Sequence, residues 1–84
     1  MKTKLYSIYD SVINVNHFPF QAHNDSDAQR SLLNAAADPA SNLALNPGDF
    51  SLYYLGTYDD TEAIFDIVQP QLVVKLGAII NKPE

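Results

Sequence analysis

The feature that most constrains this chain is the run Pro47-Gly48-Asp49-Phe50-Ser51-Leu52-Tyr53-Tyr54-Leu55-Gly56-Thr57-Tyr58-Asp59-Asp60. Pro47 and Gly48 punctuate the backbone at one end, and Asp59-Asp60-Thr61 can reverse it at the other. Between them lie β-formers, Phe, Tyr, Leu and Thr. The two alternating faces, Phe50/Leu52/Tyr54 and Ser51/Tyr53/Leu55, are both at least partly apolar. Such a strand belongs in the middle of a sheet with both sides covered.

The flanking segments supply the rest of the sheet. Lys2 to Asp10 alternates Leu5, Ser7 and Tyr9 against Tyr6 and Ile8, which predicts a first strand. Asp10-Ser11 ends or bulges it, and Val12 to Asn16 either continues as an extended edge or forms the arm of a hairpin. His17 to Ala22 reads as a second strand with Phe18 and Phe20 on the core face, and Pro19 confines it to an edge or a strand start. Glu62 to Val68 forms a hairpin with the central strand across Asp59-Asp60-Thr61. Gln69-Pro70-Gln71 then breaks the pattern. Leu72 to Ile80 fits either a strand or one face of a short helix, and the strand or extended arm is preferred. Asn81 to Glu84 is expected to fray.

One helix interrupts the strands. Asn24 is the expected N-cap, with Asp25 and Asp27 in the first turn where the helix dipole favours negative charge. The helix runs to Ala37 and stops before Asp38-Pro39. Ala28, Leu32, Ala35 and Ala36 form its apolar stripe, so it can lie close against a sheet. A short helical turn at 42–45 is expected in the connection, pinned by Leu43 and Leu45. The prediction is an α+β fold: a small antiparallel sheet of about four strands in the order ββαββ, one helix packed on one face, and a C-terminal extended arm or short helix. It forms a single domain over 1–84, with a core at 1–68 and an arm at 69–84.

Composition narrows the function. Ten Asp/Glu against five Lys/Arg give a net charge of −5, the opposite of the basic balance typical of nucleic-acid binders. With no cysteine, disulfides and thiolate metal sites are excluded. No run is apolar enough to span a membrane and no secretory signal is present, so a soluble protein of the cytoplasm is expected. Asp59, Asp60, Glu62 and Asp66 lack the spacing of a calcium loop and read as solvated turn residues; no metal is expected. Ser7, Ser11, His17 and His23 come without a nucleophile elbow or a glycine-rich oxyanion loop, so neither an enzyme nor a cofactor is expected. The aromatics, from Tyr6 to Phe65, read from spacing alone as core, although a sheet face bearing aromatics beside lysines is also how single strands are stacked.

Three pieces together carry a resemblance. They are Lys4-Leu5-Tyr6-Ser7-Ile8-Tyr9-Asp10-Ser11, Phe18-Pro19-Phe20-Gln21-Ala22-His23-Asn24-Asp25, and Asp38-Pro39 followed by 46–60. In order and spacing they resemble the small nonstructural protein of gokushoviruses, microviruses with single-stranded DNA genomes, over residues 4 to 66. Such proteins are often labelled nonstructural or DNA-binding. By genome position they are compared with the microvirus protein that switches replication to single-strand synthesis and packaging. The resemblance implies a phage accessory protein in the host cytoplasm, acting in genome replication or packaging through single-stranded DNA or the replication complex. It carries over no catalytic or nucleotide-contacting residue. The nucleic-acid contacts expected from the residues themselves are Lys2, Lys4, Tyr6, Tyr9 and Arg30. The alternative is a homo-oligomeric module, a dimer by preference, that binds a viral or host protein. Its self-contact is expected at Val12, Val15, Leu72, Val74, Leu76 and Ile79.

Overall fold

A computed structural model of the chain describes residues 1–17 and 19–79. Five strands form one antiparallel sheet: β1 (Lys2–Asp10), β2 (Val15–Asn16), β3 (Phe20–Ala22), β4 (Phe50–Asp59) and β5 (Ile64–Lys75). Helix α1 spans Asp25–Ala35, α2 spans Asn42–Leu45 and α3 spans Leu76–Ile79, with a 3-10 turn at Pro47–Asp49. β4 is central, between β1 and β5. The short β2 and β3 both pair with the other side of β1, at Tyr9–Asp10 and Lys4–Tyr6 respectively. The α+β class and the antiparallel sheet are as expected, whereas the ββαββ order and the single helix are not matched. The expected second strand shortens to β3, the 12–16 segment supplies a two-residue β2, the helical turn expected at 42–45 is present as α2, and a short helix, α3, stands where the extended arm was preferred. Phe18 and the end expected to fray lie outside the described residues.

Helix α1 begins where its cap dictates. The Asn24 side chain accepts a hydrogen bond from the Asp27 amide at 2.9 Å, which satisfies one of the free N–H groups of the first turn. Ala28, Leu32 and Ala36, at i, i+4 and i+8, are buried on one stripe. Small alanines let the helix approach the sheet, where Tyr6, Phe50 and Leu52 complete the core with Leu76 from α3. Ala35, also assigned to the stripe, is exposed. It sits one residue, or about 100°, around the helix from Ala36. In α2, Leu43 packs on the core but Leu45 is exposed, because four residues can turn only one leucine inward.

Two departures concern the C-terminal half. Gln69-Pro70-Gln71 does not end the strand, since β5 runs through it. Among the described residues β5 bonds only to β4, so Pro70, which has no N–H, sits at an edge that does not need one. The register shifts between Tyr54 and Gly56 take up the irregularity. The ambiguous segment after it is divided: Leu72 to Lys75 is strand, and Leu76–Ile79 turns into α3. There Leu76 is fully buried, and Gly77 lies close to Gly48 of the 3-10 turn.

Gly56 is where the sheet bends. It adopts φ +137, and a Cβ there would stand 2.1 Å from the Asp66 carbonyl oxygen. Only glycine permits this approach of β4 to β5. At the same place Leu5 pairs with Gly56 while Tyr6 pairs with Tyr54, which leaves Leu55 bulged.

Candidate binding face of the sheet

Alternation and register assign every strand residue near the site to a face. The helix-bearing face takes Tyr6 and Ile8 from β1 and Phe50, Leu52 and Tyr54 from β4, all packed in or against the core. By the same alternation it takes Lys2, Lys4 and Asp10. Beyond the Leu55 bulge, Lys4 pairs with Thr57 and Lys2 with Asp59, while Thr57 pairs with Asp66 and Asp59 with Ile64. These residues are therefore on the helix-bearing face as well. The opposite, open face takes Leu5, Ser7 and Tyr9, then Ser51, Tyr53, Leu55 and Tyr58. From β5 it takes Phe65, opposite Tyr58, and Lys75, opposite Ser51.

This division sorts the charges. The three acidic residues on strands, Asp10, Asp59 and Asp66, all fall on the helix-bearing face, and Asp25 and Asp27 are on α1 itself. Among the described residues, no strand places a carboxylate on the open face. It carries instead two aromatic pairs and a lysine. The Tyr9 and Tyr53 rings stand perpendicular at 5.9 Å, and the Tyr58 and Phe65 centroids are 4.7 Å apart. Tyr9, Ser51 and Lys75 form one cross-strand row.

A cleft of about 610 Å³ opens on this face, lined by Ser7, Val15, Asn16, His17, Pro19 and Leu55. Ser7 forms its floor at 1% exposure, and its hydroxyl donates to the Asn16 side-chain oxygen at 3.1 Å. A smaller hollow beside it is lined by Tyr9, Asn16, Tyr53 and Pro70. The Tyr9 hydroxyl donates to the Asn14 side chain, and Asn14 holds φ 58 in the turn before β2. The cleft is suited to binding: apolar walls, flat π surface and a few amide groups. The other polar side chains considered for catalysis have structural partners. Ser11 bonds the Asp49 carbonyl at 3.0 Å, and His23 lies 3.4 Å from Asp27 one helical turn away. Among the described residues, no three His, Cys, Asp or Glu side chains are grouped so as to hold a metal ion, and no helix is long and apolar enough to cross a membrane.

The five expected nucleic-acid contacts do not share a surface. Tyr9 alone lies on the open face. Tyr6 is 0% exposed and packs at 6.0 Å from Phe20 and 5.7 Å from Tyr54, so its ring offers no face to a base. Its hydroxyl donates to Asp25, and burial followed by this bond holds its pKa far above the usual tyrosine value. Lys2 lines a hollow with Asp59, Glu62 and Asp66, while the Lys4 ammonium lies 6.0 Å over Tyr54. Arg30 is exposed on α1.

The expected self-contact is divided too. Val12, Val15 and Leu72 are exposed, but Leu76 is core, and Val74 and Ile79 pack against it. Lys75, one of the basic residues that the sequence offers as phosphate contacts, is not among the five expected contacts, because its face depends on the β4–β5 register. Sequence reasoning missed Ile64, Phe65 and Ile67, which alternation places on a half-covered sheet although they are 54%, 62% and 60% exposed.

The sequence model of one family, described as Phage ORF5 protein, matches residues 3–79. No curated protein and no solved structure matches the chain.

Proposed function

We propose, because the chain belongs to the Phage ORF5 protein family, that it is a non-enzymatic phage accessory protein that binds single-stranded DNA during genome replication or packaging in the host cytoplasm. The observation that carries this reading is the open sheet face: tyrosines and one lysine on a surface free of strand carboxylates. Unpaired bases stack on exposed aromatic rings at about 1–3 kcal/mol each, and a carboxylate-free surface does not repel the phosphates between them. The net charge of −5 does not oppose this, because the strand and helix acids are on the other side.

With Lys75 as the one lysine or arginine that the described residues place on the face, stacking supplies most of the affinity. The expected salt dependence is shallow, a log–log slope of about −0.7 per phosphate neutralised on a single strand. The test is fluorescence anisotropy with a labelled oligothymidine at low salt. Binding by the native chain that is weakened by Tyr53→Ala and by Lys75→Glu supports the reading. No binding, or binding indifferent to both substitutions, overturns it.

A second reading, a protein-interaction module that does not touch nucleic acid, is favoured by the exposed apolar residues of β5.

A further inference from the structure

We infer that the free edge of β5 pairs antiparallel with β5 of a second copy of this chain, across a two-fold axis near Ile67. The two edges of the sheet are unlike. On one side, β1 is covered by β2 and β3, strands of two and three residues. On the other, β5 runs for 12 residues and, among the described residues, bonds to β4 alone. Solitary edges of that length are ordinarily guarded by lysine, proline or inward charges. Here the guards are unevenly placed. Pro70 and the adjacent irregularity in register interrupt the middle of the strand, whereas Ile64 to Val68 carries one charge, Asp66.

That same segment holds exposed apolar side chains in quantity. Ile64, Phe65, Ile67 and Val68 are all exposed, and Leu72 follows beyond the proline. The four such side chains at 64–68, each about half exposed, put on the order of 400 Å² per copy on offer, so two copies meeting would remove roughly 800 Å² from water, the size of a weak interface. An interface of this size forms a concentration-dependent dimer.

A second copy fits for a geometric reason. An antiparallel pair about a two-fold axis perpendicular to the sheet sets residues of the same face opposite one another. With Ile67 opposite Ile67 of the second copy, Asp66 meets Val68 and Phe65 meets Gln69. The two Asp66 carboxylates are then diagonal neighbours about 7–8 Å apart rather than directly opposed, and no other charge lies in the paired segment. The sheet becomes continuous across both copies, and the Tyr58–Phe65 aromatic pairs of their open faces approach one another at the seam.

The absence of cysteine from the chain makes a clean test available. Directly opposed residues in an antiparallel pair have Cα atoms about 4.5–5.5 Å apart, within disulfide range. Under mild oxidation, Ile67→Cys is expected to give a covalent dimer, while Val12→Cys, more exposed but remote from β5, stays monomeric. By light scattering, the native chain is expected at twice the monomer mass at high concentration, and Ile67→Lys at the monomer mass with an unchanged circular dichroism spectrum. Should Ile67→Lys lose its native spectrum, Phe65→Lys serves in its place. A native chain that is monomeric throughout, a lysine variant that still dimerises, or equal crosslinking at residues 12 and 67 overturns the proposal. So does a β5 edge that pairs only with a different protein. None of these outcomes depends on whether DNA is bound.

Discussion

The Tyr6 hydroxyl donates a 2.6 Å hydrogen bond to the Asp25 carboxylate, tying the middle of β1 to the first turn of α1. Asp25 is exposed, while the Tyr6 ring is wholly inside. The bond thus fixes where the helix starts relative to the sheet, complementing the apolar stripe that fixes how it lies. Tyr6→Phe keeps the ring and removes the bond. A hydrogen bond to a charged group contributes about 1.5–3 kcal/mol, less here because the freed carboxylate can rehydrate. We expect a loss of about 1–2 kcal/mol in urea denaturation.

The same residue sets an alkaline limit. Burial, and then the bond to Asp25, raise the folded-state pKa of Tyr6 above the ordinary tyrosine value near 10. The folded state therefore holds its proton at pH values where the unfolded chain has lost it. The associated stability is complete below about pH 10 and declines as the pH rises further. A urea titration repeated from pH 9 to 11.5 is expected to show native stability falling from about pH 10. Tyr6→Phe should fall less steeply over the same window.

Gly56 offers the sharpest backbone test. Gly56→Ala places a methyl group where the Asp66 carbonyl stands and puts an L-residue at φ +137. Strain of this kind costs about 1–3 kcal/mol before the clash is counted. We expect at least about 3 kcal/mol lost, or failure to fold, by thermal melting. Gly48→Ala, where nothing lies within 4 Å of the added carbon, should change little.

Loss of the helix cap is a milder perturbation. Asn24→Ala removes the acceptor for the Asp27 amide and is expected to cost about 1 kcal/mol. That corresponds to a melting temperature lower by roughly 4–8 °C in a domain of this size. Asn24→Asp should retain most of the native value.

The two sheet faces can be separated by substitution. Tyr53→Ala is expected to weaken oligothymidine binding about five- to a hundred-fold, the range of one stacked base. Lys4→Ala, on the helix-bearing face, should leave it within two-fold. A loss from Lys4→Ala with none from Tyr53→Ala would place the DNA on the other side of the sheet, and equal losses would remove the distinction between the faces.

Much of this arrangement is legible in the chain. Alternation in Lys2 to Asp10 separates Tyr6 from Tyr9, and the pairing of each with serine or isoleucine hints at which is inside. The Asn24 cap and the hairpin through Asp60 follow from local chemistry alone. What alternation cannot say is which of two mixed faces the helix covers. Tyr9, on the face it shares with Ser7, reads as the more exposed of the two, yet Tyr6 still reads as a ligand until Ala28 and Leu32 are seen to sit over it. Pro70 misleads for a related reason. It stops a central strand but not an edge strand, and edge position is a property of the whole sheet. Lys75 depends on the register of a strand 12 residues long with two irregularities, which no short window records.

The separation of strand acids from the tyrosine surface also governs how the molecule behaves as an electrical object. Its excess negative charge is lopsided, so in an external field or beside a charged polymer it turns before it touches. A polyanion repels the acid-laden flank and is left facing the one that carries Lys75. A cationic resin holds the protein by its helices with the aromatic surface outward.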